Sequence, residues 1–143
     1  MSAVLKSAKP DTTIVLSPGI YVEPNGLDCN TEGISILGCE NVDSNGQPMS
    51  EILGYIANLH ERHFFQISAT KFLMRNVKIE VLFSSSAEKR EASDQTACVS
   101  ILNKSQAVFE YCDVLSQKNL VGFSVQHHSK PWIKFCTIAN NKW

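Results

Sequence analysis

The sequence predicts an all-β protein, a parallel β-helix solenoid of about four to five coils with a short helix that caps its N-terminal end. Two observations lead to this prediction. Short runs rich in Val, Ile and Phe alternate apolar and polar residues, a period typical of half-buried strands. One stretch of the chain also recurs 24 residues further on, as expected when each coil is one structural repeat.

The predicted elements follow one another along the chain. Residues 2–8 are expected to form a two-turn helix that ends before Pro10. Residues 50–63 leave helix and strand open, because their apolar residues keep helical spacing while Gly54 disfavours a helix. The polar, charged residues 84–95 are predicted to be an exposed loop. The predicted strands lie within residues 13–16, 20–22, 34–36, 72–81, 98–101 and 123–125.

The internal repeat aligns residues 97–114 with residues 121–138 without a gap. Apolar residues fall on apolar residues at nearly every inward position of this alignment, and Cys112 falls on Cys136. A weaker copy ends at residues 72–79, 35 residues before its counterpart. The excess over 24 is about the size of the predicted 84–95 loop. One coil alone cannot bury its apolar face, so stacked coils must supply the core.

Composition limits the classes of function. The chain has 143 residues, is 43% hydrophobic and carries a formal net charge of −1. One domain, residues 1–143, with a sizeable core is therefore expected, and intrinsic disorder is excluded. No apolar run approaches the roughly 20 residues of a membrane span. A near-zero net charge also disfavours a nucleic-acid partner held by a basic surface. We therefore expect neither membrane nor nucleic acid as partner.

The cysteines are five in number, and none belongs to a C-x-x-C pair. That spacing disfavours a zinc finger and a thioredoxin-like redox site. The N-terminus lacks the apolar core of a secretory signal, so an intracellular, cytoplasmic protein with reduced thiols is expected. Cys112 and Cys136, one coil apart, are predicted to fill the core as small apolar side chains and to resist thiol reagents in the folded protein.

A family resemblance begins at the N-terminus. Residues 4–22 resemble the opening of right-handed β-helix proteins of the pectin-lyase-like class, with Pro10-Asp11 and the Pro-Gly-Ile-Tyr of residues 18–21 carrying the match. Residues 122–125 and 129–141 are similar to repeats in the β-helices of F-box-only ubiquitin-ligase subunits and of Shc-binding, nessun dorma-like proteins. The resemblance implies a right-handed parallel β-helix over most of the chain.

The terminal coil of such a solenoid would expose unpaired strand edges, which natural proteins avoid. We therefore expect the chain to be either a fragment of a longer β-helix or a homo-oligomer that covers its ends by self-association.

Catalytic residues of the pectin-lyase-like class do not carry over to this chain. Lyases of that class use clustered aspartates to hold calcium, and its hydrolases use paired aspartates on adjoining strands. The aspartates here are isolated, and Asp113, in a repeat strand, faces Thr137 one coil later. His60 and His63 are three residues apart, whereas the zinc-protease helix needs four. We therefore expect no enzymatic activity, catalytic residue, metal site or cofactor.

Aromatic residues late in the chain form the candidate partner-binding surface. Alternation along the strand places Phe109 and Tyr111 on one face and Val108 and Trp132 on the other, so part of this group is expected to face outward. Burial under a loop or against another subunit is the alternative. The candidate surface comprises Phe109, Tyr111, Trp132, Phe135, His127 and His128.

Three functions fit this fold. The leading hypothesis is a non-enzymatic scaffold whose β-helix face binds a protein partner. A carbohydrate-binding or carbohydrate-active protein is the alternative, and it would need carboxylates clustered beside aromatic residues. A structural or cytoskeletal assembly component formed by end-to-end stacking is the third hypothesis.

Overall fold

A computed structural model describes residues 1–56, 63–83, 96–116 and 120–139. The regular elements among these residues are strands, apart from one short helix, α1, at Ser2–Ser7. The strands are β1 Thr13–Val15, β2 Gly19–Glu23, β3 Leu27–Cys29, β4 Ile34–Leu37, β5 Ser50–Ile56, β6 His63–Ile67, β7 Lys71–Arg75, β8 Val77–Phe83, β9 Ala97–Ile101, β10 Gln106–Glu110, β11 Asp113–Ser116, β12 Val121–Val125, β13 Trp132–Lys134 and β14 Thr137–Ala139.

Three parallel sheets make up the described part of the chain. The first sheet has the strand order β1-β4-β7-β10-β13, the second β2-β5-β8-β11-β14 and the third β3-β6-β9-β12. Each strand therefore pairs with the strand three positions before or after it, and the chain visits the three sheets in turn. This order confirms the all-β prediction and is compatible with a β-helix or similar solenoid.

The register of the sheets repeats the offset of the sequence alignment. Val108 lies beside Trp132 in the first sheet, 24 residues apart, and Ala97 lies beside Val121 in the third sheet at the same separation. Between β7 and β10 the offset is 35 residues, as Leu73 lies beside Val108. The predicted loop at residues 84–95 lies outside the described residues.

The core fills the space between the three sheets. Every second residue of a strand points inward, so inward residues of successive strands stack in columns. Ile36, Met74 and Phe109 form one fully buried column of the first sheet. Phe109 also meets Phe123 of the third sheet edge to face, with ring centroids 5.0 Å apart. Burial of one such side chain contributes about 1.5–3 kcal/mol to the free energy of folding.

The N-terminal helix matches the predicted position within one residue. Its buried residue is Leu5, whereas Val4 is exposed, and the helix packs against β3. Within the described residues, no helix is both long and apolar enough to cross a membrane.

Two predicted segments differ in detail from the structure. The ambiguous segment at residues 50–63 begins with strand β5, ends at the first residue of β6 and includes residues 57–62 outside the described range. The single run predicted at residues 72–81 is two strands, because Asn76 adopts φ 56° and turns the chain from the first sheet into the second. Asparagine tolerates this left-handed conformation better than most residues.

Candidate binding groove

A column of turn residues marks the corner between the first and second sheets. Asn76, Tyr111 and Phe135 follow β7, β10 and β13, and their φ angles are 56°, 53° and 53°. The amide N–H of Asn76 donates to the Glu110 carbonyl at 3.1 Å, and that of Tyr111 donates to the Lys134 carbonyl at 3.1 Å. The chain thus makes the same left-handed turn in successive coils. For bulky aromatic residues this conformation is unusual and strained.

Two of these turn residues form an exposed aromatic pair. Tyr111 is 52% exposed and Phe135 is 76% exposed. Their rings stack with centroids 5.1 Å apart and an angle of 13° between the planes. Stacking covers one face of each ring, so solvent reaches the remaining surface of the pair. Such an apolar platform on a strained turn is typical of a binding surface.

A groove of about 730 Å³ runs between this corner and the loop of residues 38–49. The loop wall is held by Asp43, whose carboxylate accepts hydrogen bonds from the amides of Asn45 at 2.8 Å and Gln47 at 2.9 Å. The groove is lined by Cys39, Glu40, Val42, Gly46, Pro48, Arg75, Asn76, Glu110, Tyr111, Asp113, Lys134, Phe135 and Thr137.

An ion cluster borders the groove on the first sheet. Arg75, Glu110 and Lys134 are register neighbours on successive strands. Arg75 Nε donates to Glu110 Oε2 at 2.9 Å, and Lys134 Nζ lies 3.6 Å from Glu110 Oε1. The hydrogen bonds from Arg75 lower the pKa of the Glu110 carboxyl below its usual range. Lys134 Nζ also lies 4.4 Å from the ring centroid of Trp132, which places that exposed ring beside the groove.

Two further carboxylates line the groove without a cation bound to them. Among the described residues, neither Glu40 nor Asp113 makes a salt bridge, whereas both cations of the lining contact Glu110. Glu40 acts on Arg75 only as a weak, longer-range charge. Asp113 is only 9% exposed. The lining therefore holds three carboxylates and two cations, and it favours a ligand that brings a positive charge.

The predicted surface is partly wrong. Phe109 is fully buried in the core and cannot contact a partner. The prediction placed Phe109 and Tyr111 on one face by strict alternation, but the left-handed turn at Tyr111 ends that alternation. Phe109 points inward, while Tyr111 lies on the corner and is exposed.

The two predicted histidines do not join the groove. His127 and His128 are exposed and form the turn between β12 and β13. The turn stacks on the previous coil, because the Lys104 amide donates to the His127 carbonyl at 3.0 Å. They therefore lie at the opposite end of β13 from Phe135. The structure brings together Tyr111, Phe135 and, through Lys134, Trp132.

Sequence reasoning missed the charged lining of the groove. A signal existed, because Arg75, Glu110 and Lys134 occupy the same position in the aligned copies. Opposite charges in one column indicate cross-strand pairs once the register is known. The loop wall at residues 43–49 had no such signal, since the repeat does not extend into it.

No protein-family model, curated protein or solved structure matches the chain. In the described ranges, no group of three or more His, Cys, Asp or Glu side chains is placed to hold a metal ion.

Proposed function

We propose that this protein is a non-enzymatic interaction scaffold whose corner groove binds an extended, arginine-containing segment of a protein partner. One observation carries the proposal: an exposed aromatic stack, Tyr111 on Phe135, lies in the same groove as the carboxylates of Glu40 and Asp113, which make no salt bridge within the described part of the chain.

The scaffold in this proposal is a right-handed parallel β-helix of the pectin-lyase-like kind. Three parallel sheets visited in turn support a solenoid path. Crossovers between parallel strands are right-handed in almost all proteins, which favours that hand. Two resemblances favour the same fold. Residues 4–22 resemble the opening of pectin-lyase-like proteins, and residues 122–125 and 129–141 resemble repeats of F-box-only ubiquitin-ligase subunits.

Arginine matches the chemistry of the groove better than lysine. Its planar guanidinium stacks on an aromatic face and donates several hydrogen bonds in fixed directions. Phe135 offers the more exposed ring, and Asp113 and Glu40 offer carboxylate oxygens. A cation on an aromatic face contributes about 0.5–2 kcal/mol, and a hydrogen bond to a charged group contributes about 1.5–3 kcal/mol.

A set of labelled peptides tests the proposal. The peptides carry Arg, Lys or Gln at one fixed central position, and the binding of each to the full chain is titrated by fluorescence anisotropy. We expect arginine peptides to bind most tightly and to weaken as salt rises. Phe135→Ala and Asp113→Asn should each weaken binding about tenfold, which corresponds to about 1.4 kcal/mol.

The matched control is His128→Ala, an exposed turn residue at the other end of β13. It should leave the affinity unchanged. Equal affinity for Arg and Gln peptides, or binding that survives both groove variants, would contradict the proposal.

Carbohydrate binding is the second candidate, because the free surface of the Phe135 ring beside carboxylates also suits a sugar ring. Sugars pack apolar faces on aromatic rings and hydrogen-bond to carboxylates. A glycan panel separates the two functions. Binding of a neutral oligosaccharide that is lost in Phe135→Ala and insensitive to salt would favour the glycan.

A further inference from the structure

Two cysteines directly follow the residues of the aromatic pair in the sequence. Cys112 follows Tyr111, Cys136 follows Phe135, and the two occupy equivalent places in successive coils. The Thr137 amide donates to the Cys112 carbonyl at 3.0 Å, which holds the two strands in register at this point. Their Cα atoms are therefore about one strand spacing apart, roughly 4.8 Å. A disulfide needs a Cα separation of about 4.4–6.8 Å, and the backbone already places the two cysteines within this range.

The two thiols make equivalent contacts in successive coils. The Cys112 thiol donates to the Glu110 carbonyl at 3.3 Å, and the Cys136 thiol donates to the Lys134 carbonyl at 3.2 Å. Glu110 and Lys134 are register neighbours, so the two side chains stack one above the other, and both cysteines are free. Cys112 is fully buried, whereas Cys136 is partly exposed. A reagent from solvent therefore meets Cys136 first, and Cys112 is positioned to react second. The partial exposure of Cys136 differs from the expectation that both thiols fill the core, whereas Cys112 lies in the core as expected.

The remaining cysteines lack this arrangement. Burial raises the pKa of Cys29 to about 11 and that of Cys98 to about 12, so both stay protonated thiols. The neighbouring Cys112 thiol instead lowers the pKa of Cys136 to about 7, whereas partial burial and nearby Asp113 oppose the change. A thiolate is the reactive form of cysteine. Cys39 is the other partly exposed thiol, and it serves as the control.

We propose that Cys112 and Cys136 form a redox-modification site that hydrogen peroxide converts into a disulfide. The Cys136 thiolate attacks one peroxide oxygen, so an S–O bond forms, the O–O bond breaks and hydroxide leaves. The sulfur is oxidised to a sulfenic acid and the peroxide is reduced. The Cys112 sulfur then attacks the Cys136 sulfur, the S–O bond breaks, and the departing hydroxide takes the Cys112 proton as water. Two thiols and one peroxide thus yield one disulfide and two waters.

This disulfide would tie the coil of β13 and β14 to the coil of β10 and β11. It would also anchor the backbone immediately behind Tyr111 and Phe135. The inference does not depend on what the groove binds.

The test treats the full folded chain with a small excess of hydrogen peroxide, blocks free thiols and analyses the peptides by mass spectrometry. We expect the Cys112–Cys136 disulfide to appear first and to disappear with a dithiol reductant. Cys39, Cys29 and Cys98 should still be alkylated after unfolding. Oxidation that begins at Cys39, or five alkylated thiols after treatment, would overturn the proposal.

Two variants sharpen the result. Cys112→Ser should leave the Cys136 sulfenic acid without its partner, so a dimedone adduct accumulates at Cys136. Cys39→Ser, the matched control, should form the intramolecular disulfide at the wild-type rate. A dimedone adduct at Cys136 that forms equally in wild type and Cys112→Ser would show that Cys112 does not react second. The wild-type measurement decides the proposal even where a variant does not fold.

Discussion

Phe135 combines an unfavourable backbone conformation with high exposure. Its φ of 53° suits Gly or Asn, and Asn76 occupies the equivalent turn two coils earlier. Phe135 is 76% exposed, so its ring adds little to the core in return. In the proposed function, the ring at this strained and exposed position serves binding and not stability.

Phe135→Asn should therefore stabilise the fold while it weakens ligand binding. Relief of the left-handed strain is worth about 1 kcal/mol, and loss of the exposed stack with Tyr111 offsets part of it. The melting temperature and the peptide affinity are measured on the same sample. Asn76→Phe, the reverse change at the equivalent turn, should lower the melting temperature. A lower melting temperature in Phe135→Asn would contradict this account.

At the scale of the element, Glu32 connects two successive turns. Its carboxylate accepts hydrogen bonds from the amides of Thr70 at 2.8 Å and Lys71 at 3.1 Å, and from the Thr70 hydroxyl. The turn before β4 is thereby tied to the turn before β7. The hydrogen bonds from Thr70 lower the pKa of the Glu32 carboxyl. A carboxyl with a lowered folded-state pKa stabilises the fold above its unfolded pKa, and this contribution disappears as the pH falls through the folded pKa.

Glu32→Gln should consequently destabilise the protein at pH 7 by less than about 1 kcal/mol, since solvent screens an exposed carboxylate. The difference from wild type should begin to shrink as the pH falls below the ordinary glutamate pKa of about 4.3, and it should disappear once the pH is below the lowered pKa of folded Glu32. Urea unfolding at pH 7 and pH 3 measures both values. Glu40→Gln, which removes an exposed carboxylate without a salt bridge, is the control and should change stability little. A difference that stays constant with pH would refute the assignment.

Strand β5 depends on a glycine that the sequence left unexplained. A Cβ atom at Gly54 would lie 2.2 Å from the ring of Phe64, which covers the glycine from β6. Phe64 is almost fully buried, so its ring has little room to move. In the sequence, Gly54 disfavoured a helix for residues 50–63. In the structure, a glycine is needed there because β5 and β6, which follow one another in different sheets, pack closely at this point.

Gly54→Ala should destabilise the protein by about 1–3 kcal/mol through overpacking. Chemical denaturation measures the loss. Pairing it with Phe64→Leu should recover part of the loss, because the ring that clashes is removed. A double variant whose losses simply add would show that the clash is not the cause.

Much of the fold followed from the alternation and from the 24-residue repeat, because both depend on residues that stack in register. Val108 with Trp132 and Cys112 with Cys136 were placed correctly as neighbours in this way. The turns were harder to predict, since Tyr111 and Phe135 adopt a conformation that their residue types do not favour. That conformation takes Tyr111 off the inward face that Phe109 occupies and forms the corner of the groove. The loop wall at residues 38–49 was not predicted, because it lies outside the repeat.

At the scale of the whole molecule, the stacked coils should tolerate longer connections. The loop of residues 38–49 connects β4 to β5, and a Cβ atom added at Gly46 would meet open space. Lengthening a loop adds closure entropy only slowly. A four-residue Gly/Ser insertion after Asn45 should therefore cost less than about 1 kcal/mol by urea unfolding, yet it should displace the groove wall and weaken peptide binding. An unfolded product would show that the loop is part of the structural core.

The strand register also determines how the chain can fold. Paired residues of the parallel strands are separated by as few as 22 positions, as with Thr13 and Ser35, and by as many as 38, as with Ile34 and Phe72. Among the described residues, none of these strands has its partner nearby in the sequence, as it would in a hairpin. Every coil must therefore close a comparable loop before it gains any pairing energy. Proteins dominated by such contacts fold in milliseconds to seconds. We expect the first pair of coils to form slowly. The strands of each further coil then pair with a sheet edge that has already formed.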